Sequence, residues 1–422
     1  MTEITGVDAW EVLDSRGEPT VRVRVAAGGA EGIFTVPAGA STGAHEAVER
    51  RDGGERYGGL GVQEAVHGVR EELAPAVIGR DPTDQAGIDA VLEATDGTED
   101  LSRLGANAVL GVSGAVAHAA AAARGVPLYR HLAPGEPGAL PLPMVNVLSG
   151  GLHAAGGIGL QDVLVVPVGA DGYPEALELA WAARRGVRER VVEAGHRPLL
   201  ADEGGFAPPL EDPETAFDLL CSGIRAAGLV PGEDAALAVD VAATHLHEDG
   251  TYTLDGVGRL GSGGMVDLVA AWAEEYPLVS VEDPLAEDDW AGWRGLADRL
   301  EAVQLLGDDL LATHPDRLER AVESGAANAA LIKPNQAGTL TRAVDVARRA
   351  ADAGLATVVS ARSGEACDAT IADLAVALDA GQIKVGSLAR SERLAKYNRL
   401  LGIARELDDY AGPDALAGRD AS

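Results

Sequence analysis

Residues 277–308 read PLVSVEDPLAEDDWAGWRGLADRLEAVQLLGD, and the way this segment begins and ends decides the fold. It opens on an apolar run that ends in Glu282, continues with helical spacing, and closes on a second apolar run that ends in Asp308. The step of 26 residues from Glu282 to Asp308 suits one strand followed by one helix. The segment therefore predicts a βα unit with a carboxylate at the end of each strand.

The same unit repeats on both sides of this segment. Further apolar runs end at Asp240, Lys333, Ser360 and Lys384, and the steps from Asp308 to Lys333 and from Lys333 to Ser360 are 25 and 27 residues. Apolar runs joined by helices predict a parallel α/β sheet closed into a (β/α)8-type barrel. An open doubly wound sheet is the alternative, although no GxGxxG sequence follows a predicted strand.

The sequence before the barrel has a different pattern. TVRVRV alternates valine with arginine, and GIFTV reads as its partner strand in a half-buried antiparallel sheet. Helical patterns follow near residues 62–77, 84–93 and 106–124, and the last is an Ala-rich amphipath. We therefore predict an α+β domain over residues 1–133 and, after a Pro/Gly-rich stretch, a barrel domain over residues 140–422.

Composition excludes several classes of partner. The 422 residues are 46% hydrophobic and 24% charged, as in a globular protein of two or three domains. A net charge of −32 with 4% aromatics argues against nucleic acid and anionic membranes. We expect a cytoplasmic protein with reduced thiols at Cys221 and Cys367, because the first residues lack an apolar signal and no apolar run reaches about eighteen residues.

The first prediction about chemistry concerns a metal site. It rests on three carboxylates at strand ends, those of Asp240, Glu282 and Asp308. The carboxyl ends of barrel strands meet at one face, so these oxygens are expected to converge. An all-oxygen set suits a hard cation, Mg²⁺ before Ca²⁺ or Zn²⁺. Each acid alone also suits a turn or a helix cap, but their regular spacing favours a metal site.

Two lysines, Lys333 and Lys384, end further apolar runs. Their mutual repulsion, next to a divalent cation, is expected to depress the pKa of one of them and make it a usable base. Ordinary salt bridges are the alternative. The sequence SARSGE adds Arg362 and Ser363, a guanidinium and a hydroxyl that suit an anionic ligand. An anionic substrate is therefore predicted, and Ala361 is the odd apolar residue in this stretch.

Other polar residues lie in glycine-rich loops. ADEGGFAPP places Glu203 in a tight turn, where it is a candidate acid or water-handling group. SGGLHAAGG presents His153, for which a structural role and a catalytic role both remain open. His245 and His247 have a spacing that resembles metal ligands but they precede a turn, so we assign them no function.

The chain resembles the enolase family over nearly its whole length. The matching segments include EVLDSRGEPTV, GASTG, LGANAVLGVS, DEGGFAP, SVEDPLAEDDWAGW, RSGE, GQIK and RSERLAKYN. The resemblance implies an α+β N-terminal domain, a modified TIM barrel of ββαα(βα)6 type, two Mg²⁺ ions and a homodimer or higher homo-oligomer.

The resemblance also implies roles for the metal-binding and proton-abstracting residues. The three strand-end carboxylates named above resemble the ligands of the first Mg²⁺, and Ser41 resembles the loop residue that reaches the second. Lys333 resembles the base that takes the proton α to the carboxylate, and Lys384 its charged helper. Two divalent ions are what make such a weakly acidic proton removable.

The leaving-group side carries the remaining implied roles. Glu203 resembles the acid that acts on the departing hydroxyl, and Arg362 with Ser363 resembles the phosphate clamp. His153 matches an active-site histidine of the family.

The chain departs from the family pattern beside that leaving group. SARSGE stands where the family reads SHRSGE, so Ala361 replaces a histidine, and Asp162 replaces the glutamate that normally partners the carboxyl at position 203. The shorter side chain reduces the reach by about 1.5 Å. PAGAS carries Ala38 instead of serine, HAAG replaces HAGN, and Pro334 replaces a valine after the base, where it is expected to reshape the loop.

These departures favour a specialised paralogue acting on a different phospho- or phosphono-carboxylate, such as a carboxyphosphonoenolpyruvate synthase of phosphonate antibiotic pathways. The first alternative is a true enolase, which converts 2-phosphoglycerate to phosphoenolpyruvate and water. The second is a non-catalytic protein that binds phospho-acids.

Overall fold

A three-stranded antiparallel sheet begins the chain in the computed structural model, which describes residues 2–39, 43–133, 135–154 and 157–418. Its strands follow in chain order, and they are Ile4–Leu13, Pro19–Ala27 and Ala30–Thr35. Val21, Val23 and Val25 are fully buried, while the arginines between them face outward, as the alternation predicts. The first strand had no sequence prediction.

Helices cover one face of this sheet. A helical segment runs from Gln63 to Val77, with a π-helical stretch inside it, and the other helices are Gln85–Asp96, Ala106–Arg124 and Leu128–Leu132. The helix predicted over residues 106–124 is confirmed with those bounds, but its amphipathic character was wrong, because 15 of its 19 residues are buried. This helix is long and apolar enough to cross a membrane by length and composition, but 83% of its most apolar window is buried inside the protein.

Within the described residues, eight strands close into a barrel, which confirms the barrel and excludes the open sheet. The second strand runs antiparallel to both of its neighbours and the others are parallel, giving the expected ββαα(βα)6 order. The strands are Leu142–Ser149, Asp162–Val166, Ala236–Asp240, Leu278–Glu282, Gln304–Gly307, Ala329–Ile332, Ala356–Ser360 and Gln382–Gly386. A small sheet of His247–Glu248, Thr251–Leu254 and Gly258–Leu260 follows the third barrel strand.

Helices surround the barrel. They are Tyr173–Glu193, Pro213–Ala226, Ser262–Glu275, Trp290–Ala297, Pro315–Ser324, Pro334–Ala337, Leu340–Asp352, Thr370–Ala377 and Ser391–Ile403. Asp212, Asp289 and Thr339 cap three of these helices through their side chains.

The strand ends agree with the sequence pattern except at one point. Asp240, Glu282 and Ser360 are last residues of strands, while Asp308 and Lys333 follow their strands directly. Lys384 was expected at a strand end, but its strand continues to Gly386 because Val385 extends the buried run.

The N-terminal domain contacts the loops at the C-terminal ends of the barrel strands. Ala38 and Gly364 exchange two backbone hydrogen bonds of 2.9 and 2.8 Å. The Ala47 N–H donates to the carbonyl of Gln336 at 2.8 Å. Residues of both domains therefore border the same end of the barrel, where barrel enzymes place their chemistry.

Candidate active site

A polar cleft lies at the C-terminal ends of the barrel strands. The predicted residues that line it are His153, Glu203, Asp240, Asp308, Lys333, Arg362, Ser363 and Lys384, together with Ala361. Gly39 of the N-terminal domain also borders the cleft. The structure thus brings residues from distant positions in the sequence to one place. Ser41 lies outside the described residues.

Strand register brings the carboxylates together. Asp240 lies opposite Asp162 on one neighbouring strand and opposite Glu282 on the other. Asp308 follows the next strand, one residue beyond Gly307. The carboxyl ends of the parallel strands meet at one end of the barrel. Asp162 joins the other three carboxylates there because it begins the antiparallel strand.

Three acidic residues form a group that could hold a metal ion, namely Glu282, Asp283 and Asp308, whose ligand atoms lie within 4.8 Å of one another. Asp283 was not predicted as a site residue. Its carboxylate accepts the backbone N–H groups of Asp308 and Asp309 at 3.1 and 2.7 Å, so it ties the loop after its own strand to the loop after the next strand. The acidic doublets at 282–283 and 308–309 were the available signal.

The donor atoms fit a hard divalent cation. Oε1 of Glu282 is buried and has no hydrogen-bond partner among the described residues. A buried acceptor without a partner is unusual in a folded protein. Burial, with the charge of Asp240 next to it, raises the pKa of Glu282 well above the ordinary carboxyl value. A cluster of buried carboxylates with a spare oxygen is what Mg²⁺ needs, and a bound ion would relieve the repulsion.

Each lysine is paired with the predicted metal ligands. Nζ of Lys384 lies 2.8 Å from Oδ2 of Asp240 and 2.6 Å from Oε2 of Glu282, while Lys333 forms a salt bridge with Asp308. Burial lowers the pKa of Lys333, but the charges of Asp308 and Glu282 together bring it above the ordinary value. Burial likewise lowers the pKa of Lys384, and the charges of Asp240 and Glu282 raise it well above the ordinary value. Each ammonium has a carboxylate partner, so neither pKa is depressed in the protein alone, and the depression expected beside a divalent cation stays a prediction.

All lysines of the chain belong to this region. The sequence contains three, Lys333, Lys384 and Lys396, against a much larger number of arginines. Lys396 is 1% exposed and donates to Glu365 and to the Ala366 carbonyl, both at 2.7 Å. It supports the loop that carries Arg362.

The SARSGE loop is held from behind by a buried arginine that sequence reasoning missed. Arg393 is fully buried and donates to the carbonyls of Arg362 and Val385 at 2.6 and 3.1 Å, and also to that of Ser363. The Arg362 N–H donates to Glu365 at 3.0 Å. These contacts fix the backbone from which the Arg362 side chain enters the cleft.

A histidine separates the two carboxylates of the leaving-group side. Nδ1 of His153 lies 3.0 Å from Oδ2 of Asp162, and its Nε2 lies 4.0 Å from Oε1 of Glu203. The Ser149 hydroxyl donates to Oδ1 of Asp162 at 2.8 Å, and Asp162 is fully buried. The carboxyl groups at 162 and 203 are thus connected through the imidazole.

The proton on this side is held by His153. Burial lowers the pKa of His153, but the charges of Asp162 and Glu203 raise it to about 9. Burial raises the pKa of Glu203, yet the charges of Arg393 and His153 bring it below the ordinary value. At neutral pH the structure therefore has an imidazolium beside the Glu203 carboxylate, so the proposed acid Glu203 is ionised before substrate binds. Burial raises the pKa of Asp162, the other neighbour of this imidazolium.

This histidine should make stability depend on pH. A folded pKa of about 9, above the unfolded value of about 6.5, stabilises the fold fully below pH 6.5, and that contribution is lost as pH rises through 9. The loss is on the order of 3 kcal/mol for the wild type. Denaturant unfolding between pH 6 and about 9.5 should show a flatter profile for His153→Gln. The surface variant His67→Gln should keep the wild-type slope, and a wild-type slope in His153→Gln would contradict the assignment.

The departures from the family pattern have different structural consequences. Ala361 is 6% exposed and lines the cleft, with its N–H bonded to the Lys384 carbonyl at 2.9 Å. Pro334 was expected to reshape its loop, but it occupies the first position of the short helix Pro334–Ala337, where proline has no donor to lose. The change at Ala38 falls on a residue whose backbone bridges the SARSGE loop.

The two histidines with metal-like spacing have different surroundings. His245 is exposed and lines the cleft, whereas His247 packs against Tyr252 with ring centroids 4.6 Å apart. Among the residues that the structure describes, neither belongs to a group that could hold a metal.

A closed barrel with carboxylates, lysines and an arginine at the C-terminal ends of its strands is the architecture of a barrel enzyme with a metal site. Residues 4–132 match the family model described as "Enolase, N-terminal domain", and residues 137–420 match "Enolase, C-terminal TIM barrel domain". The chain belongs to the enolase family. It is an enolase-superfamily enzyme, and its acidic clusters are suited to a metal ion.

Proposed function

We propose that this chain is a Mg²⁺-dependent enzyme that removes the α-proton of a small phospho- or phosphono-carboxylate, and that it is a specialised paralogue of enolase. A carboxyphosphonoenolpyruvate synthase of phosphonate natural-product biosynthesis is the type that we favour. The observation that carries the proposal is the methyl group of Ala361, which lines the cleft where the family pattern has an imidazole. The smaller side chain leaves room for a bulkier or differently charged group.

In this proposal, the side of the cleft that removes the α-proton works as the family resemblance implies. Lys333 would take the α-proton, and the ammonium of Lys384 would face the substrate carboxylate. When bound to Asp240, Glu282 and Asp308, Mg²⁺ would stabilise the negative charge that builds up on that carboxylate. A divalent ion on Asp308 would also weaken its salt bridge with Lys333, which favours release of the lysine proton.

The other end of the substrate would meet the arginine side. Arg362 and Ser363, held by Arg393, suit a phosphate or phosphonate group, because a guanidinium can contact two of its oxygens at once. The carboxylate end and the phosphorus end would thus be fixed at opposite sides of the α-carbon. The α-proton would then lie between them, next to Lys333.

A true enolase is the second candidate, and one observation favours it. The imidazolium of His153, between Asp162 and Glu203, keeps a proton near the position of a departing hydroxyl, so the side without a histidine at 361 still has an acid. In this case Asp162 would act through His153 instead of contacting Glu203.

Turnover of 2-phosphoglycerate with Mg²⁺ separates the candidates. We expect slow formation of phosphoenolpyruvate by the wild type, and a gain of about 100-fold in the double variant Ala361→His with Asp162→Glu, because one positioned acid or base commonly contributes 10² to 10⁴. Each single variant serves as a matched control. Ordinary enolase activity in the wild type would reject the specialised paralogue. Binding of phospho-acids without α-proton exchange would indicate a non-catalytic protein.

A further inference from the structure

Glu46 belongs to the N-terminal domain, yet its carboxylate contacts the cleft arginine. Nη1 of Arg362 donates to Oε2 at 2.8 Å, and Nη2 donates to Oε1 at 3.3 Å. The side chains of Arg362 and Glu46 are 5% and 7% exposed. A two-point contact between a guanidinium and a carboxylate fixes the plane of the guanidinium as well as its position.

The Glu46 carboxylate is itself held in place. Its Oε1 accepts the Gly43 N–H at 2.9 Å and lies 3.4 Å from Nε2 of Gln336. The next residue, Ala47, donates its N–H to the Gln336 carbonyl at 2.8 Å. The glutamate is therefore anchored by its own segment and by the barrel loop that follows Lys333.

The same glutamine reaches the metal side of the cleft. Nε2 of Gln336 donates to Oδ1 of Asp308 at 2.8 Å, and Oε1 accepts the hydroxyl of Thr313 at 2.7 Å. One buried amide thus links a predicted metal ligand to Glu46, and Glu46 links that amide to Arg362. These contacts join residues that are 28 and 316 positions apart in the sequence.

We propose that Glu46 is the positioning residue for Arg362, so that a carboxylate of the N-terminal domain sets where the barrel arginine meets the anionic end of the substrate. This inference rests on the proposed function, since it takes Arg362 as the phosphate-binding group. It adds a residue that neither the strand pattern nor the motifs suggested.

Glu46 could instead act as an anion that competes with the substrate for Arg362, and this role predicts a different result. Burial lowers the pKa of Arg362, but the charge and hydrogen bonds of Glu46 raise it above the ordinary value. If Glu46 only competed with the substrate for Arg362, moving its carboxylate away would strengthen anion binding. If Glu46 positions Arg362, the same change weakens anion binding.

The variant Glu46→Asp distinguishes these roles, because it keeps the charge and withdraws the carboxylate by about 1.5 Å. Calorimetric titration of the Mg²⁺-loaded protein with inorganic phosphate should show about tenfold weaker binding, since a misplacement of about 1 Å costs up to about 100-fold. In α-proton exchange of 2-phosphoglycerate, KM should rise by a similar factor while kcat changes little. A purely structural role would lower thermal stability and kcat together.

Two further variants complete the test. Glu49→Asp is the matched control, because Glu49 pairs with Arg51 at 2.7 Å in the same segment, and it should bind phosphate as the wild type does. Phosphate binding that is unchanged or stronger in Glu46→Asp, or equally weak in both aspartate variants, would overturn the inference. If Arg362→Ala leaves phosphate binding unchanged, or if the wild type does not bind phosphate, the arginine assignment in the proposed function fails, and the inference fails with it.

Discussion

Exchange of the α-proton of 2-phosphoglycerate with solvent should fall by about 10⁴-fold when Lys333 is replaced by arginine. Arginine keeps a positive charge beside Asp308, so the salt bridge seen in the structure has a substitute. It cannot accept a proton at any accessible pH, because its pKa lies above about 12. The variant therefore removes the base while keeping the charge.

The measurement is loss of α-deuterium from labelled substrate, followed by NMR in the presence of Mg²⁺. It does not require product formation, so it applies to a specialised paralogue as well as to a true enolase. Lys333→Ala should lose as much activity as Lys333→Arg, because both lack the base. Exchange within about tenfold of the wild type in the arginine variant would show that another group takes the proton.

Magnesium affinity should fall by about 10³-fold when Glu282 is replaced by glutamine, more than the 10 to 100-fold typical of residues behind a metal ligand. Glu282 offers a buried oxygen without a partner among the described residues, and a neutral amide is a much weaker ligand for Mg²⁺. The metal-free variant should be at least as stable as the wild type. In the wild type the pKa of Glu282 is raised, so its carboxylate destabilises the fold at any pH above the ordinary carboxyl pKa. The destabilisation grows as pH rises toward the raised pKa.

Calorimetry gives the affinity, and thermal unfolding with EDTA or with excess Mg²⁺ gives the stability gained on binding. Glu287→Gln is the matched control. Glu287 belongs to another acidic group, with His45 and Asp288, and has no assigned role in the cleft. Equal losses of affinity in both variants would mean that general negative charge attracts the ion, and the specific site would be rejected.

The sequence predicted the barrel well because buried strands carry an unbroken apolar signal. Asp240, Glu282 and Ser360 stand at strand ends as expected, and the closed barrel and the family are confirmed. The pattern failed where burial is set by more than one neighbour. The helix Ala106–Arg124 packs on nearly all sides, so its small residues show no polar face, and Lys384 stands within a strand because its charge is neutralised by residues of other strands.

The residues of the candidate site could be predicted where they belong to a recognisable sequence motif. Asp283 was missed because an acid after a strand is equally typical of a turn, whereas in the structure its carboxylate binds the backbone N–H groups of Asp308 and Asp309 in the next loop. Glu46 was missed because its partner Arg362 is 316 positions away, and no local pattern predicts such a contact. The roles carried over from the family for Lys333, Lys384 and Glu203 remain predictions.

The burial of every lysine side chain gives the protein an unusual chemical surface. Lys333, Lys384 and Lys396 are at most about one-tenth exposed, so acylating reagents find no lysine amine on the outside of the folded chain. Surface cleavage by trypsin is correspondingly limited to arginines. Lysine acylation of the native protein, read by mass spectrometry, would therefore report on the interior of the cleft without the background that ordinary proteins give.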